Sequence, residues 1–85
     1  MVIFTHKISD PKGLHAVSAS ALARFCLDNP CRIRVSCKGS AADARQLMGL
    51  MKLRAKRGDI LEFQVEGEGQ EQTAQALKTL AGELL

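Results

Sequence analysis

The chain has 85 residues, of which 46% are hydrophobic, and a formal net charge of +3. It can bury one modest core, because a chain of this size hides only about 60–65% of its unfolded surface. No apolar stretch approaches the roughly 18 residues of a membrane span, and no secretory signal is recognisable. We therefore expect one soluble, cytoplasmic domain over residues 1–85.

Charge is divided unevenly along the chain. Residues 1–57 hold eleven Lys and Arg against three Asp and Glu, whereas residues 58–85 hold one against six. Such a split favours acidic protein partners or phosphate-bearing ligands through electrostatic steering. Nucleic acid is not expected as a partner, because the chain has neither Tyr nor Trp for base stacking and no RNA-binding motif.

The three cysteines, Cys26, Cys31 and Cys37, do not have the spacing of a metal site or a disulfide framework. Their number is odd, no pair shows C-x-x-C spacing, and only two histidines accompany them. We expect reduced thiols, with Cys26 and Cys37 in the core, and no bound metal or other cofactor.

The first strand is predicted from apolar residues that recur on one face, Val2, Phe4 and Ile8. His6 falls on the same face, where a packed, hydrogen-bonded histidine is a better expectation than a ligand. A turn is predicted at residues 10–13, which contain Asp, Pro and Gly.

The first helix is predicted from Ala19, Leu22, Ala23 and Cys26, which are spaced at i, i+3, i+4 and i+7 and form one apolar stripe. An Asn-Pro pair at residues 29–30 ends this helix, because proline disfavours helical geometry in the residue before it.

The second strand alternates Ile33, Val35 and Cys37 with polar residues, as a half-exposed strand does. A turn at residues 38–40 leads to a short paired segment at residues 41–44. Alanine and aspartate are poor strand formers, so this segment has the weakest strand signal.

A short helix follows, with high apolar density in Leu47, Met48, Leu50 and Met51. These side chains are either core filler or a partly exposed contact patch, and the sequence leaves both interpretations open.

The last strand alternates Leu61, Phe63 and Val65 with polar residues after a turn at residues 58–59, and an amphipathic helix begins near Gln70. The strands have a period of two and one polar face, which fits an open antiparallel sheet. The element order predicts an α+β fold, a two-layer open-faced sandwich with three helices on one face of a four-stranded antiparallel sheet.

His15 stands directly before the first predicted helix, after Pro11-Lys12-Gly13-Leu14. The first turn of a helix leaves N–H groups unpaired and carries roughly half a positive charge, so its backbone can hold a phosphoryl group. His15 is therefore a candidate phosphate carrier. The alternative is a polar first-turn or capping residue.

Over all 85 residues the chain resembles HPr, the histidine-containing phosphocarrier of the bacterial phosphoenolpyruvate-dependent sugar phosphotransferase system. The resemblance rests on the element order, the C-terminal amphipathic helix and three short motifs. The motifs are Pro11-x-Gly13-Leu14-His15, Leu47-Met48-x-Leu50 and Val65-Glu66-Gly67-Glu68.

The resemblance implies that His15 accepts a phosphoryl group on Nδ1 from the phosphohistidine of enzyme I and passes it to enzyme IIA-type proteins. Phosphoryl transfer depends mainly on positioning and charge compensation, and a neutral imidazole is a suitable nucleophile. The expected phosphate contacts are the backbone N–H groups of Ala16 and Val17 and the backbone or hydroxyl of Ser18. The protein is then a stoichiometric carrier rather than an enzyme, and we expect a monomer.

Three positions depart from the family pattern. The family motif is His-x-Arg-Pro, but this chain has Val17 and Ser18, so the arginine that usually neutralises the phosphoryl group is absent. Lys12 or Arg24 could partly substitute for it. Many family members carry a regulatory serine at position 46, where this chain has Gln46, so regulation by a kinase is not expected there.

The resemblance also implies a docking surface with an apolar centre and a basic rim. Its expected apolar residues are Leu14, Ala21, Leu47, Met48 and Met51, and its expected basic residues are Arg24, Arg45 and Lys52. Two alternatives remain at this stage. One is a regulatory or protein-binding module with weak or no phosphotransfer, and the other is an unrelated small α+β domain.

Overall fold

The computed structural model describes residues 1–85 as seven elements, in the order that the sequence predicts. The strands are β1 (Val2–Lys7), β2 (Arg32–Cys37), β3 (Ser40–Asp43) and β4 (Ile60–Glu66), and the helices are α1 (Ala16–Leu27), α2 (Leu47–Lys52) and α3 (Gln70–Leu84). The short strand β3 begins one residue before the predicted segment. None of the three helices combines the length and apolar character that crossing a membrane requires.

The four strands form one antiparallel sheet in the order β1-β4-β2-β3. Phe63 on β4 lies opposite Phe4 on one side and Val35 on the other, so apolar side chains of three strands share one face. The Phe4 and Phe63 rings stack with their centroids 4.9 Å apart. The helices cover this face and leave the other polar face open, which confirms the predicted α+β open-faced sandwich.

The core is one cluster of 22 buried hydrophobic residues drawn from both layers. Cys26 and Cys37 belong to it as predicted, Cys31 joins them, and all three thiols are free. Burial raises the pKa of the Cys26 thiol to about 12, so this thiol stays protonated near neutral pH. A protonated, buried thiol is a poor nucleophile, and Cys26 is a packing residue.

His6 is half-buried on the inner side of β1, as predicted, but the expected hydrogen bond of its side chain is not found at Nε2. Its Nε2 is enclosed and has no hydrogen-bond partner. The strand neighbours on the same face, Phe4 and Ile8, are apolar and offer neither a donor nor an acceptor.

Candidate functional site

His15 is the residue that caps the N-terminus of α1, with extended backbone angles of φ −120° and ψ 179°. Its main-chain N–H donates to Ser18 Oγ at 3.1 Å, and the Ser18 hydroxyl donates to the His15 carbonyl at 3.2 Å. The helix start is thus held through the main chain of His15. The His15 side chain also faces the Ser18 N–H in a capping-box arrangement, although it makes no full capping hydrogen bond.

The first turn of α1 has the properties of an anion site. The N–H groups of Ala16 and Val17 donate to no backbone carbonyl, and no acidic residue occupies the turn. The His15 side chain is 29% exposed. A group attached to the imidazole can therefore reach both solvent and the positive end of the helix.

The loop before His15 is fixed by contacts with distant parts of the chain. Leu14 N–H donates to the Ala55 carbonyl at 3.0 Å, and the N–H groups of Ser9 and Asp10 donate to the Leu85 carbonyl. Gly13 adopts a φ of +65°, in the left-handed region, and donates to the Asp10 carbonyl at 2.9 Å. These bonds position the backbone of His15 before any ligand arrives.

Gly13→Ala is expected to destabilise the protein and to displace this loop. A Cβ at position 13 would lie 2.5 Å from the Ala55 carbonyl oxygen and 2.8 Å from Lys56 Cα, and both neighbours are backbone atoms. Left-handed strain and overpacking together should lower the free energy of unfolding by about 2–4 kcal/mol. Urea denaturation measures the loss.

Gly39→Ala is the matched control, because Gly39 also has a positive φ of +85° but a Cβ there meets nothing within 4 Å. This variant should show only the conformational cost, about 1–2 kcal/mol. Equal losses in the two variants would contradict the proposed contact between the loop and residues 55–56.

Positions 17 and 18 differ from each other in what they can offer a phosphate. Val17 is 73% exposed and presents an apolar side chain beside His15. Ser18 is buried, and its hydroxyl both donates to and accepts from the main chain of His15. The expectation that the Ser18 hydroxyl contacts phosphate is therefore wrong, since the helix start already uses that hydroxyl.

Asp10 is a site residue that the sequence analysis missed. Its Oδ2 lies 3.8 Å from His15 Nε2, and its side chain is 30% exposed. Asp10 also stabilises the turn that the sequence predicts, since its Oδ1 accepts from Lys12 N–H at 2.8 Å. Only the three-dimensional path of the turn shows that the second oxygen faces the imidazole.

Helices α1 and α2 both expose apolar side chains. Val17 and Leu27 on α1 are 73% and 63% exposed, and Met48 on α2 is 67% exposed. A cleft of about 360 Å³ joins the two helices. Its lining residues are Ser20, Ala23, Arg24, Leu27, Asp28, Arg45 and Leu47.

The two interpretations of the apolar residues of α2 apply to different residues. Leu50 is fully buried and is core filler, whereas Leu47 and Met48 are exposed and therefore available for contact with a partner. Met51 is partly buried against the core. We name the exposed surface of Val17, Leu27, Leu47 and Met48 the α1–α2 apolar patch.

The other expected docking residues divide in the same way. Arg24 and Lys52 are exposed and Ala21 is half-buried. Leu14 is buried in the core, so its inclusion in the docking surface is wrong.

Arg45 is also wrongly placed in a free basic rim. Its guanidinium Nε donates to the Cys26 carbonyl at 3.2 Å, and Nη2 donates to the carbonyls of Asn29 and Cys31 at 2.7 and 3.3 Å. These carbonyls lie at the end of α1 and in the connection to β2. The side chain is a brace between elements.

Known proteins resemble this chain in both sequence and fold. The family model described as "PTS HPr component phosphorylation site" matches residues 2–83. The phosphocarrier protein HPr of Lysinibacillus sphaericus is 35% identical over 77 residues, which cover 91% of this chain and 88% of that protein.

Two solved structures extend the similarity to three dimensions. The histidine-containing phosphocarrier protein of Mycoplasma superposes with a TM-score of 0.92 at 27% identity, over 96% of this chain and 93% of that one. An HPr dimer from Thermoanaerobacter tengcongensis superposes with a TM-score of 0.75 at 26% identity, over 98% of this chain and 95% of that one.

Proposed function

The chain belongs to the HPr family of phosphocarriers, and from that premise we propose that His15 is the residue that carries the phosphoryl group. The carrying observation is that the partly exposed His15 side chain stands at the N-terminus of α1, where the N–H groups of Ala16 and Val17 donate to no backbone carbonyl. His6, the other histidine, has its Nε2 enclosed.

In the proposed step the Nδ1 lone pair of His15 attacks the phosphorus of a phosphohistidine on the donor protein. The new N–P bond forms as the donor's N–P bond breaks, and that electron pair returns to the donor nitrogen. The backbone N–H groups of Ala16 and Val17 would compensate the charge of the phosphoryl oxygens. The chain itself needs to supply only position and charge compensation.

Proteins of a phosphotransferase system are the partners that family membership implies. More specifically, we propose enzyme I as the donor and enzyme IIA-type proteins as acceptors, with the α1–α2 apolar patch as the docking centre and Arg24 and Lys52 at its edge. We propose that the chain works as a monomer in the cytoplasm, as a carrier that offers one surface to successive partners.

Intact-mass spectrometry after incubation with enzyme I and phosphoenolpyruvate tests the proposal. The measurement is made at neutral pH because phosphohistidine is labile in acid. We expect the mass of one added phosphate. No addition to the folded protein, with the enzyme I of its own host present, would contradict the carrier role.

The second candidate function is a regulatory or protein-binding module of the same fold with weak phosphotransfer. Val17 favours it, because an exposed valine stands where the family places the phosphate-neutralising arginine. The same surface would then serve partner binding alone.

Val17→Arg is expected to speed phosphate uptake about tenfold, because a charge-assisted hydrogen bond to the phosphoryl group contributes roughly 1.5 kcal/mol or more. Position 17 is 73% exposed, so the longer side chain has room. Rapid-quench kinetics with enzyme I measure the rate.

Gln72→Arg, which adds the same charge at an exposed position on α3, controls for general electrostatic steering. A rate for Val17→Arg equal to that of the unchanged protein would show that a missing cation at this position does not limit transfer.

A further inference from the structure

Asp10 is held by hydrogen bonds at every polar group except one carboxylate oxygen. Its N–H donates to the Leu85 carbonyl at 3.0 Å, and its carbonyl accepts from Gly13 N–H at 2.9 Å. Its Oδ1 accepts from Lys12 N–H at 2.8 Å. These hydrogen bonds within and around the turn therefore fix the position of the remaining oxygen, Oδ2.

The group that Oδ2 faces is the His15 imidazole. Oδ2 lies 3.8 Å from Nε2, and the two side chains are only 29% and 30% exposed. A hydrogen bond needs about 2.7–3.2 Å, and contacts of this kind in unliganded sites often tighten when the reacting partner binds.

A carboxylate in this position has a specific chemical consequence. A neutral imidazole carries one N–H, and an ionised carboxylate can only accept, so it favours the form whose proton is on Nε2. That form leaves the lone pair on Nδ1, the nitrogen from which the proposed phosphoryl transfer starts. The carboxylate also opposes the positive charge that the ring gains as the N–P bond forms.

We propose that Asp10 is a positioning residue that selects the Nε2–H tautomer of His15 and so keeps Nδ1 nucleophilic. The catalytic part of this inference rests on the proposed function, but the tautomer part does not. In the transfer step the proton stays on Nε2 against Oδ2 throughout, the Nδ1 lone pair becomes the new N–P bond, and no proton has to leave the site.

Asp10→Asn is the test, because asparagine keeps one carbonyl oxygen for the Lys12 N–H and replaces Oδ2 by an amide NH₂. That NH₂ donates, so Nε2 should become the acceptor and the ring proton should move toward Nδ1. The ¹⁵N chemical shifts of His15, recorded at a pH where the ring is neutral, report the tautomer directly. We expect a fall in the Nε2–H fraction and phosphate uptake slower by about tenfold or more, because a ring that carries its proton on Nδ1 cannot offer the Nδ1 lone pair.

Asp43→Asn is a matched control. Asp43 makes the same kind of turn, with Oδ1 accepting from Arg45 N–H at 2.9 Å, but it has no contact with His15. This variant should leave both the tautomer fraction and the uptake rate unchanged.

The two measurements separate the inference from the proposed function. An unchanged tautomer fraction in Asp10→Asn overturns the positioning role, even if uptake slows, since slower uptake alone would indicate a structural effect. If the unchanged protein takes up no phosphate, the proposed function fails, and the ¹⁵N spectra still decide whether Asp10 sets the tautomer.

Discussion

His15→Ala is expected to take up no phosphate from enzyme I and phosphoenolpyruvate while remaining folded. The substitution removes the proposed nucleophile. It keeps the two hydrogen bonds with Ser18 Oγ, because they use the N–H and carbonyl of residue 15, and it loses only the capping-box contact of the His15 side chain with the Ser18 N–H. Intact-mass spectrometry at neutral pH measures uptake, and circular dichroism measures the fold.

His15→Asn guards against a capping effect in this experiment. Asparagine is among the preferred residues at a helix N-cap. The free energy of unfolding of this variant should therefore exceed that of His15→Ala by about 1 kcal/mol. It should still take up no phosphate.

His6→Gln is the control for the second histidine. His6 lies half-buried on β1, with its Nε2 enclosed. We expect this variant to take up one phosphate. If phosphate uptake persists in both His15 variants and disappears in His6→Gln, the phosphorylated residue is His6 on β1 and not His15.

Arg45→Ala is expected to lower the free energy of unfolding by about 3 kcal/mol, the largest stability effect that we predict for a charged residue of this chain. The substitution removes three charge-assisted hydrogen bonds to the carbonyls of Cys26, Asn29 and Cys31. It also removes a cation from the negative end of α1, where a positive charge stabilises the helix. Urea denaturation monitored by circular dichroism measures the change.

Arg45→Lys should recover only part of this loss, because a lysine keeps the charge but cannot reach several carbonyls with a planar fork of donors. Arg24→Ala is the matched control at an exposed arginine of the cleft and should change stability by less than about 0.5 kcal/mol. A loss in Arg45→Ala no larger than that of Arg24→Ala would contradict the role of Arg45 as a brace.

The two arginines also separate stability from docking. Arg24 is exposed beside the α1–α2 apolar patch, so Arg24→Ala should weaken binding to enzyme I through slower association. Arg45→Ala should act mainly through the fold. Binding kinetics measured at a temperature where both variants are folded distinguish the two effects.

Local patterns were sufficient for the fold and for one part of the site. Strand alternation and helical spacing depend on near neighbours, so they predicted all seven elements in order, and even β3 was displaced by only one residue. The position of His15 at the N-terminus of α1 follows from the same local signals. The phosphate chemistry proposed for it depends on backbone geometry that any helix start supplies.

Side-chain direction and long-range contacts were not predictable in this way. Leu14 and Arg45 have the chemistry of docking residues, but Leu14 turns into the core and Arg45 reaches back to the connection between α1 and β2. The sequence predicts a free hydroxyl at Ser18, but that hydroxyl forms hydrogen bonds with the main chain of His15. The outcomes for Leu14 and Arg45 depend on long-range contacts that form only after the chain has folded, whereas the Ser18 contact is local and depends on which way the hydroxyl turns.

The α+β sandwich, the order of its elements and the histidine at the helix start could all be predicted from the amino-acid sequence, because periodicity and turn chemistry are local properties. The residues that surround that histidine became clear only from the folded chain. The Asp10 carboxylate faces the imidazole because hydrogen bonds to Leu85, Gly13 and Lys12 set the path of the turn. Two of those partners are local, but Leu85 lies at the far end of the sequence and reaches the turn only through packing of α3 against the sheet.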